Sequence, residues 1–257
     1  MNMKIVERRK VILGFLQEHE SMEINDIAKR LNVSSMTIRR DLKELTENGS
    51  VSIKQGVVVL NEGSLREYDM ILKHDINVGQ KRAIAKQCLD HINEGDSIFL
   101  DAGTTVKELA HLLDRRRNIN VLTHSLLAAN AIAGARGLRT IMCPGEYREM
   151  SMAFMGPLTD DFIKGFQIDT LFLSVEGVSL ENGVSVIDVL DGHSKRALID
   201  QAKHVILMAD SSKFGKSYFY KIAALSEIDR IVTDGNLDDA IYDEYIQNGI
   251  DIERVDC

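Results

Sequence analysis

Val33-Ser34-Ser35-Met36-Thr37-Ile38-Arg39-Arg40-Asp41-Leu42-Lys43-Glu44-Leu45 is the stretch whose reading decides the rest of the chain. It predicts a recognition helix. Ser34 stands as N-cap, its hydroxyl available to an orphan backbone N–H of the first turn. Val33 and Ile38 occupy the positions of a hydrophobic staple. Ile38, Leu42 and Leu45 fall at i, i+4 and i+7, so one stripe is buried. The opposite side carries Ser35, Met36, Thr37, Arg39, Arg40 and Lys43, interrupted only by Asp41 and Glu44. Hydroxyls and guanidiniums at the front of an exposed helix reach base edges, while cations hold phosphates. A basic cluster alone fits a solvated helix face equally well. The residues before it decide between the two. Ile24, Ile27, Ala28 and Leu31 make a second amphipathic helix, and Asn32-Val33-Ser34 is a short turn. Helix, tight turn and basic helix describe a helix-turn-helix.

Outward from this core, residues 4–18 predict a first helix with Ile5, Ile12, Leu13 and Leu16 on its apolar side, and Glu20-Ser21-Met22 connects it to the second. Asn48-Gly49 is a stop signal for the recognition helix. Val51-Ser52-Ile53 and Val57-Val58-Val59-Leu60 flank Lys54-Gln55-Gly56, two β-branched runs around a glycine turn, and so predict a hairpin. Three helices and a hairpin make a winged helix-turn-helix over residues 1–60. Lys54 and Gln55 at the wing tip either touch the DNA backbone or minor groove or form an ordinary polar turn.

The overall charge of −8 would argue against nucleic acid, but it is unevenly spread. Residues 1–60 hold ten Lys+Arg and eight Asp+Glu, a net of +2; residues 61–257 hold 21 and 31, a net of −10. The acidic excess lies outside the proposed DNA-binding unit, an asymmetry that is itself informative. With 257 residues, 44% apolar and 27% charged, the chain has room for two domains of ordinary composition. No apolar run reaches the roughly 20 residues of a membrane span, and Met1–Lys10 lacks a signal-peptide core. Cys88, Cys143 and Cys257 are isolated and the seven histidines scattered, so neither a disulfide framework, a metal site nor a cofactor is indicated. A reducing cytoplasm is the expected compartment.

Residues 61–77 lack periodicity and read as a linker. From residue 78 to 257 apolar runs alternate with helical patterns. Helices are expected at Lys81–Ile92, Val106–Leu113 and Leu126–Ala133, and runs at Ser97–Asp101, Asn120–Thr123, Arg139–Cys143, Thr170–Val175, Val205–Asp210 and Arg230–Thr233. The fold class is α/β, with a mostly parallel sheet covered on both faces.

In such sheets ligands collect at the carboxyl ends of strands, and polar clusters fall there. Asp101-Ala102-Gly103-Thr104-Thr105 closes a strand and opens a helix: glycine admits an anion, hydroxyls donate and the helix supplies free N–H groups, so phosphate is the natural guest. An ordinary turn with a threonine cap fits the same letters. Thr123-His124-Ser125 follows the next strand, with His124 able to bond a sugar hydroxyl or phosphate, or simply to pack. Pro144-Gly145-Glu146-Tyr147-Arg148 follows the third; Arg148 pairs with phosphate or with a surface acid. Glu176-Gly177 and Asp210-Ser211-Ser212-Lys213-Phe214-Gly215 end two more, Lys213 being a second anion partner. Lys195-Arg196, preceded by Asp191, lies in a helix and reads either as part of the site or as a solvated face.

Taken together these motifs resemble the DeoR family of transcriptional repressors of sugar catabolism. The carriers are Val33-Ser34, Thr37-Ile38-Arg39-Arg40-Asp41-Leu42 and Leu45 in the head, then Gly95-Asp96, Asp101 to Thr105, Gly145-Glu146, Lys195-Arg196-Ala197 and Asp210 to Gly215. The resemblance implies a C-terminal domain similar to ribose-5-phosphate isomerase that binds a phosphorylated sugar or polyol without converting it. It also implies a homo-oligomer that leaves operator DNA when that metabolite appears. The chain departs from the family pattern at the wing (Ile53, Gln55, Gly56, Val57), at His124 where asparagine is usual, at Pro144 before Gly145, and at Asp191 where glutamate is common. The alternative is a sugar-phosphate isomerase carrying a DNA-binding head, with Asp101, Glu176 and Asp210 as available acids.

Overall fold

A computed structural model of the chain describes residues 5–19, 21–47, 50–61, 77–113 and 118–256. The chain divides into two compact units, Met1–Ile76 and Asn77–Cys257.

The N-terminal unit runs α1 (Ile5–His19), β1 (Ser21–Glu23), α2 (Ile24–Arg30), α3 (Ser35–Glu47), β2 (Val51–Lys54) and β3 (Val57–Leu60). Asn32, at φ 51°, makes the left-handed turn between α2 and α3 that asparagine tolerates. Ile38, Leu42 and Leu45 of α3 join Ile12, Leu13, Leu16, Ile24 and Ile27 in one buried core. Val33 packs against it, as the staple requires. At the wing, Lys54 pairs with Val57 across Gln55 (φ 51°) and Gly56 (φ 82°), the two left-handed residues that a tight primed hairpin turn needs.

Three expectations are corrected here. Ile5 is 53% exposed and lies outside the core. Residues 21–23 are not a mere connector, because β1 pairs antiparallel with β3 and makes the wing a three-stranded sheet. Asp41 does not interrupt the exposed cationic face; it is buried against Arg8 of α1. The stop at Asn48-Gly49 and most of the linker fall outside the described residues.

The C-terminal unit is built on a seven-stranded sheet of β4 (Ser97–Leu100), β5 (Ile119–Thr123), β6 (Leu138–Met142), β9 (Ile168–Leu173), β12 (Ala202–Met208), β14 (Arg230–Asp234) and β15 (Ile252–Val255). Its order is β15-β14-β12-β9-β4-β5-β6, and every neighbouring pair is parallel. Successive residues feed opposite cores, as the two-residue period of a strand demands. Ile98, Leu100, Val121, Phe172, Ile206, Met208 and Val232 enter one; Phe99, Leu122, Leu171, Leu173, Val205, Leu207 and Ile231 enter the other. Burial on both faces is why these strands read as unbroken apolar runs. The first core is closed by α4 (Val78–Cys88), α5 (Thr104–Leu112) and α6 (Leu126–Ile132). Those helices begin and end within a few residues of the expected bounds.

The other face is closed by elements that the apolar pattern did not announce. They are α7 (Pro157–Ile163), α8 (Val189–Gln201), α9 (Asp239–Gln247), and a small antiparallel sheet of β10 (Gly177–Ser179), β11 (Gly183–Val186) and β13 (Tyr220–Ala223). A short hairpin, β7 (Glu146–Arg148) with β8 (Ala153–Met155), follows β6. Among the described residues no helix is long and apolar enough to cross a membrane.

Candidate functional site

The head presents α3 with its N-terminal side chains ordered. Ser34 Oγ accepts the Thr37 backbone N–H at 3.1 Å and lies 2.9 Å from Thr37 Oγ1, so the predicted cap forms. Ser35 Oγ donates to Asn25 Oδ1 at 2.9 Å, tying the start of α3 to α2. Met36 is 68% exposed, and Arg39, Arg40, Lys43 and Lys54 all face solvent. Lys43 reaches Glu47 at 3.7 Å; among the described residues Arg39, Arg40 and Lys54 make no ion pair. The buried side of α3 is clasped by α1. Arg8 grips Asp41 through two bonds, Nε–Oδ2 at 2.5 Å and Nη2–Oδ1 at 3.1 Å, and Arg9 reaches Glu44 at 2.6 Å.

In the body, the chain places β5 and β6 on one side of β4 and then returns to lay β9 on the other. The order therefore reverses between β4 and β9, and an open parallel sheet has its ligand crevice at such a reversal. Asp101 leaves β4 there. Its Oδ2 accepts the Ser174 backbone N–H at 2.9 Å, just past the end of β9, and takes the Lys195 ammonium at 2.6 Å. Its Oδ1 lies 3.0 Å from His124 Nε2, at the end of β5. All three side chains are sealed from solvent. Lys195 of α8 is thus no solvated face: it lies between Asp101 and Asp191, whose Oδ1 is 3.4 Å away.

Burial alone would raise the Asp101 pKa, but the Lys195 ammonium and the bond from His124 override it and hold the carboxyl down at about 2. Burial likewise opposes the Lys195 charge, and Asp101 and Asp191 outweigh it, so the ammonium is held above its ordinary range. Asp191 goes the other way. Its burial, with Asp101 and Glu176 adding repulsion against the attraction of Lys195, pushes it up to about 6. The signs for folding are opposite. Ionised Asp101 stabilises the fold above pH 4 or so, a contribution lost as pH falls towards 2. Ionised Asp191 opposes folding at neutral pH, and that penalty lifts as pH falls below 6.

Two residues after Asp101, Gly103 precedes α5. A Cβ there would sit 2.3 Å from Ser174 Oγ, so only glycine lets the β4 end approach the β9 end. Thr104 and Thr105 fill the first turn of α5, which contains no acid. Among the described residues neither hydroxyl has a hydrogen-bond partner, and the first-turn N–H groups have no acceptor within the helix.

The remaining predicted residues divide. Thr123 Oγ1 donates to Leu100 O at 2.7 Å and Ser125 caps α6 through Ala128 N–H at 3.2 Å, so both hydroxyls serve the backbone. Gly145 (φ 155°) is fixed by close packing on Met155 and Thr159. Glu146 is exposed on β7, and Arg148 Nη2 lies 3.5 Å from Asp188, the residue that caps α8. Glu176 Oε2 accepts the Ile187 N–H at 2.9 Å. Lys213 closes the 3-10 turn Ser211–Lys213 beyond β12, one strand further from β4 than β9 is.

A winged helix-turn-helix carried in one chain with an α/β unit that has a charged cluster at its switch point is the build of a transcription regulator. Residues 8–63 match the DeoR-like helix-turn-helix domain and residues 76–235 the DeoR C terminal sensor domain. The chain belongs to the DeoR family of DNA-binding transcriptional regulators. It is 31% identical over 230 residues (89% of this chain, 86% of the relative) to the putative aga operon transcriptional repressor of Escherichia coli O157:H7. It is 30% identical over 235 residues (90% and 92%) to the glycerol-3-phosphate regulon repressor of Escherichia coli K12. The chain is a repressor of this kind, a regulator and not an enzyme. Among solved structures it is similar to a D-ribose-5-phosphate isomerase in complex with phospho-erythronic acid, at TM-score 0.39 and 16% identity over 52% of each chain.

Proposed function

We propose that this repressor acts in the cytoplasm on a carbohydrate-utilisation operon and is released from its operator by a phosphorylated sugar or polyol. The observation that carries the effector reading is the switch point itself: Gly103-Thr104-Thr105 opens α5 with hydroxyls that have no partner among the described residues, beside the sealed Asp101–Lys195 pair. Helix N–H groups and hydroxyls suit a phosphate there. His124, Glu176 and Arg148 lie around the same strand ends, and Lys213 one strand further out. A homo-oligomer supplies two heads for two operator half-sites. The effector lowers operator affinity only by binding more tightly to an arrangement of the heads that fits DNA less well.

A thermal-shift screen of glucose 6-phosphate, ribose 5-phosphate and glycerol 3-phosphate tests this, since a bound ligand raises stability by mass action. Thr104→Glu places a fixed carboxylate where the phosphate sits. Like-charge contact costs several kcal/mol, so effector affinity is expected to fall at least about 100-fold with operator binding intact. Operator release by unchanged effector concentrations in that variant overturns the placement.

On the DNA side, Ser35, Met36 and Thr37 are the proposed base readers, and Arg39, Arg40, Lys43 and the wing residue Lys54 the phosphate contacts. Arg40→Ala is expected to weaken operator binding and reduce the slope of log affinity against log salt by about one. The same slope in a fluorescence-anisotropy titration sinks that role for Arg40.

A further inference from the structure

Among the described residues, Asp191 and His124 each carry a buried polar atom with no hydrogen-bond donor or acceptor in place, the ion pair of Asp191 with Lys195 at 3.4 Å being its nearest contact. Asp191 Oδ1 and His124 Nδ1 have no hydrogen-bond partner, although His124 is fully sealed and Asp191 largely so. The contrast with Asp101 is sharp, for its two oxygens receive Ser174 N–H, Lys195 Nζ and the imidazole. One lysine serves two carboxylates, and Asp101 holds it at 2.6 Å while Asp191 has it only at 3.4 Å. A buried acceptor left without a donor costs about 1–3 kcal/mol, and each such group calls for a cause, a ligand donor being one. Leu190, next to Asp191, packs against the small cluster of Ala102, Ala153 and Met155, and Lys195 bridges Asp191 to Asp101, so Asp191 lies on the same side of the sheet end as the turn that opens α5.

We propose that Asp191 reads the end of the effector remote from its phosphate, accepting a hydrogen bond from a ligand hydroxyl, with His124 Nδ1 as the second contact. This rests on the phosphate site proposed above and makes Asp191 the residue that separates a sugar phosphate from phosphate itself. The groups around Asp191 fix its electrostatics. Lys195 and the capping Asp188 share its helix, Asp101 comes from β4, His124 from β5, Glu176 from beyond β9, and Arg148 reaches Asp188 from β7. Because ionised Asp191 is unfavourable in the empty protein, a ligand donor that meets it draws it into the charged form. Binding of a hydroxyl-bearing ligand therefore releases a proton below about pH 6.

The test uses the full chain as wild type, Asp191→Asn and Thr104→Glu. Isothermal titration with glucose 6-phosphate, ribose 5-phosphate, glycerol 3-phosphate and inorganic phosphate is run at pH 8 and pH 5. A charged acceptor is worth more than a neutral one, so D191N is expected to lose about 10- to 100-fold in affinity for a sugar phosphate at pH 8. Its affinity for inorganic phosphate should stay within about twofold. The ratio of wild-type to D191N affinity cancels the ligand's own titration and should shrink towards one at pH 5. D191N should also melt at a higher temperature than wild type at pH 8 without ligand, since the buried charge is gone. A role in folding alone would move affinity and stability the same way. Equal sugar-phosphate affinity of D191N and wild type at pH 8, with T104E binding nothing, overturns the role of Asp191 and leaves the phosphate site standing. No binding of any sugar phosphate by wild type, or full binding by T104E, overturns the phosphate site and this inference with it.

Discussion

Lys195→Met is expected to destabilise the C-terminal domain by about 3–5 kcal/mol at pH 7.5, the usual cost of stripping one partner from a buried ion pair. Methionine fills nearly the same volume, so the loss is electrostatic and not a cavity. Asp101 keeps the Ser174 N–H and the imidazole but loses the cation bonded to it at 2.6 Å, and Asp191 loses the ammonium 3.4 Å from its Oδ1. The pH dependence identifies the cause. In the wild type Asp101 is held down at about 2, so its contribution survives to low pH. In the variant burial is opposed only by the Ser174 N–H and His124, so the carboxyl pKa moves up from its wild-type value and protonation relieves the strain. The stability deficit of the variant should therefore shrink as pH falls from 7.5 to 5. Urea unfolding followed by circular dichroism measures this, the chain having no tryptophan. A deficit that is the same at both pH values, or no deficit, refutes the pair as a support of the fold. Adding Asp101→Asn to Lys195→Met should recover part of the loss by removing the stranded charge.

The two domains differ in how much of them their letters disclose. Helix-turn-helix signals are local. The Ser34 cap, the Val33–Ile38 staple and the Ile38, Leu42, Leu45 stripe all act within a dozen residues, and all form as read. Six of the seven parallel strands are equally plain, because burial on both faces leaves the central ones no polar alternation to confuse; β15, an edge strand carrying Glu253 and Arg254, was not expected. What escaped reading depends on distant partners. Asp41 looks like any surface acid until Arg8, 33 residues earlier, is folded against it. Ser21-Met22-Glu23 has no strand-like run and becomes one only by pairing with β3. Lys195 reads as a site residue or as a solvated helix face, and the carboxylate that decides between the two is 94 residues away. The strand-end clusters were visible one by one. Which of them meet was not, because periodicity does not encode strand order. Insertion of β9 beside β4 brings Asp101, Ser174 and Lys195 together and leaves Lys213 a strand further out. The unsatisfied atoms of Asp191 and His124 have no trace in composition or spacing at all.

Arg8→Met is expected to abolish operator binding without removing any group that faces DNA. Arg8 lies on α1 and is buried, and its guanidinium meets Asp41 of α3 in a two-bond fork. Asp41 is the one buried acid of the recognition helix, and without Arg8 its remaining cation among the described residues is Arg9 at 3.9 Å, already engaged with Glu44. Stranding it costs about 3–5 kcal/mol. The head is a small unit, and units of some 60 residues have only a few kcal/mol to spare. The loss is thus comparable to its whole stability, and α3 cannot hold the pose in which Ser35, Met36 and Thr37 are proposed to read bases. Arg40→Ala provides the contrast, since Arg40 is exposed and should weaken binding while the head melts as before. The decisive variant pairs Arg8→Met with Asp41→Leu, replacing the whole ion pair by apolar groups of similar size, which is often neutral or stabilising. Helix content and melting of the head should return in that double variant, and operator affinity with them, if the pair serves only to seat the helix. Anisotropy titrations on an operator duplex selected with the wild-type protein, beside thermal melts, read both quantities. Unchanged melting and unchanged operator affinity in the single variant would show that the apolar stripe of α3 seats it unaided.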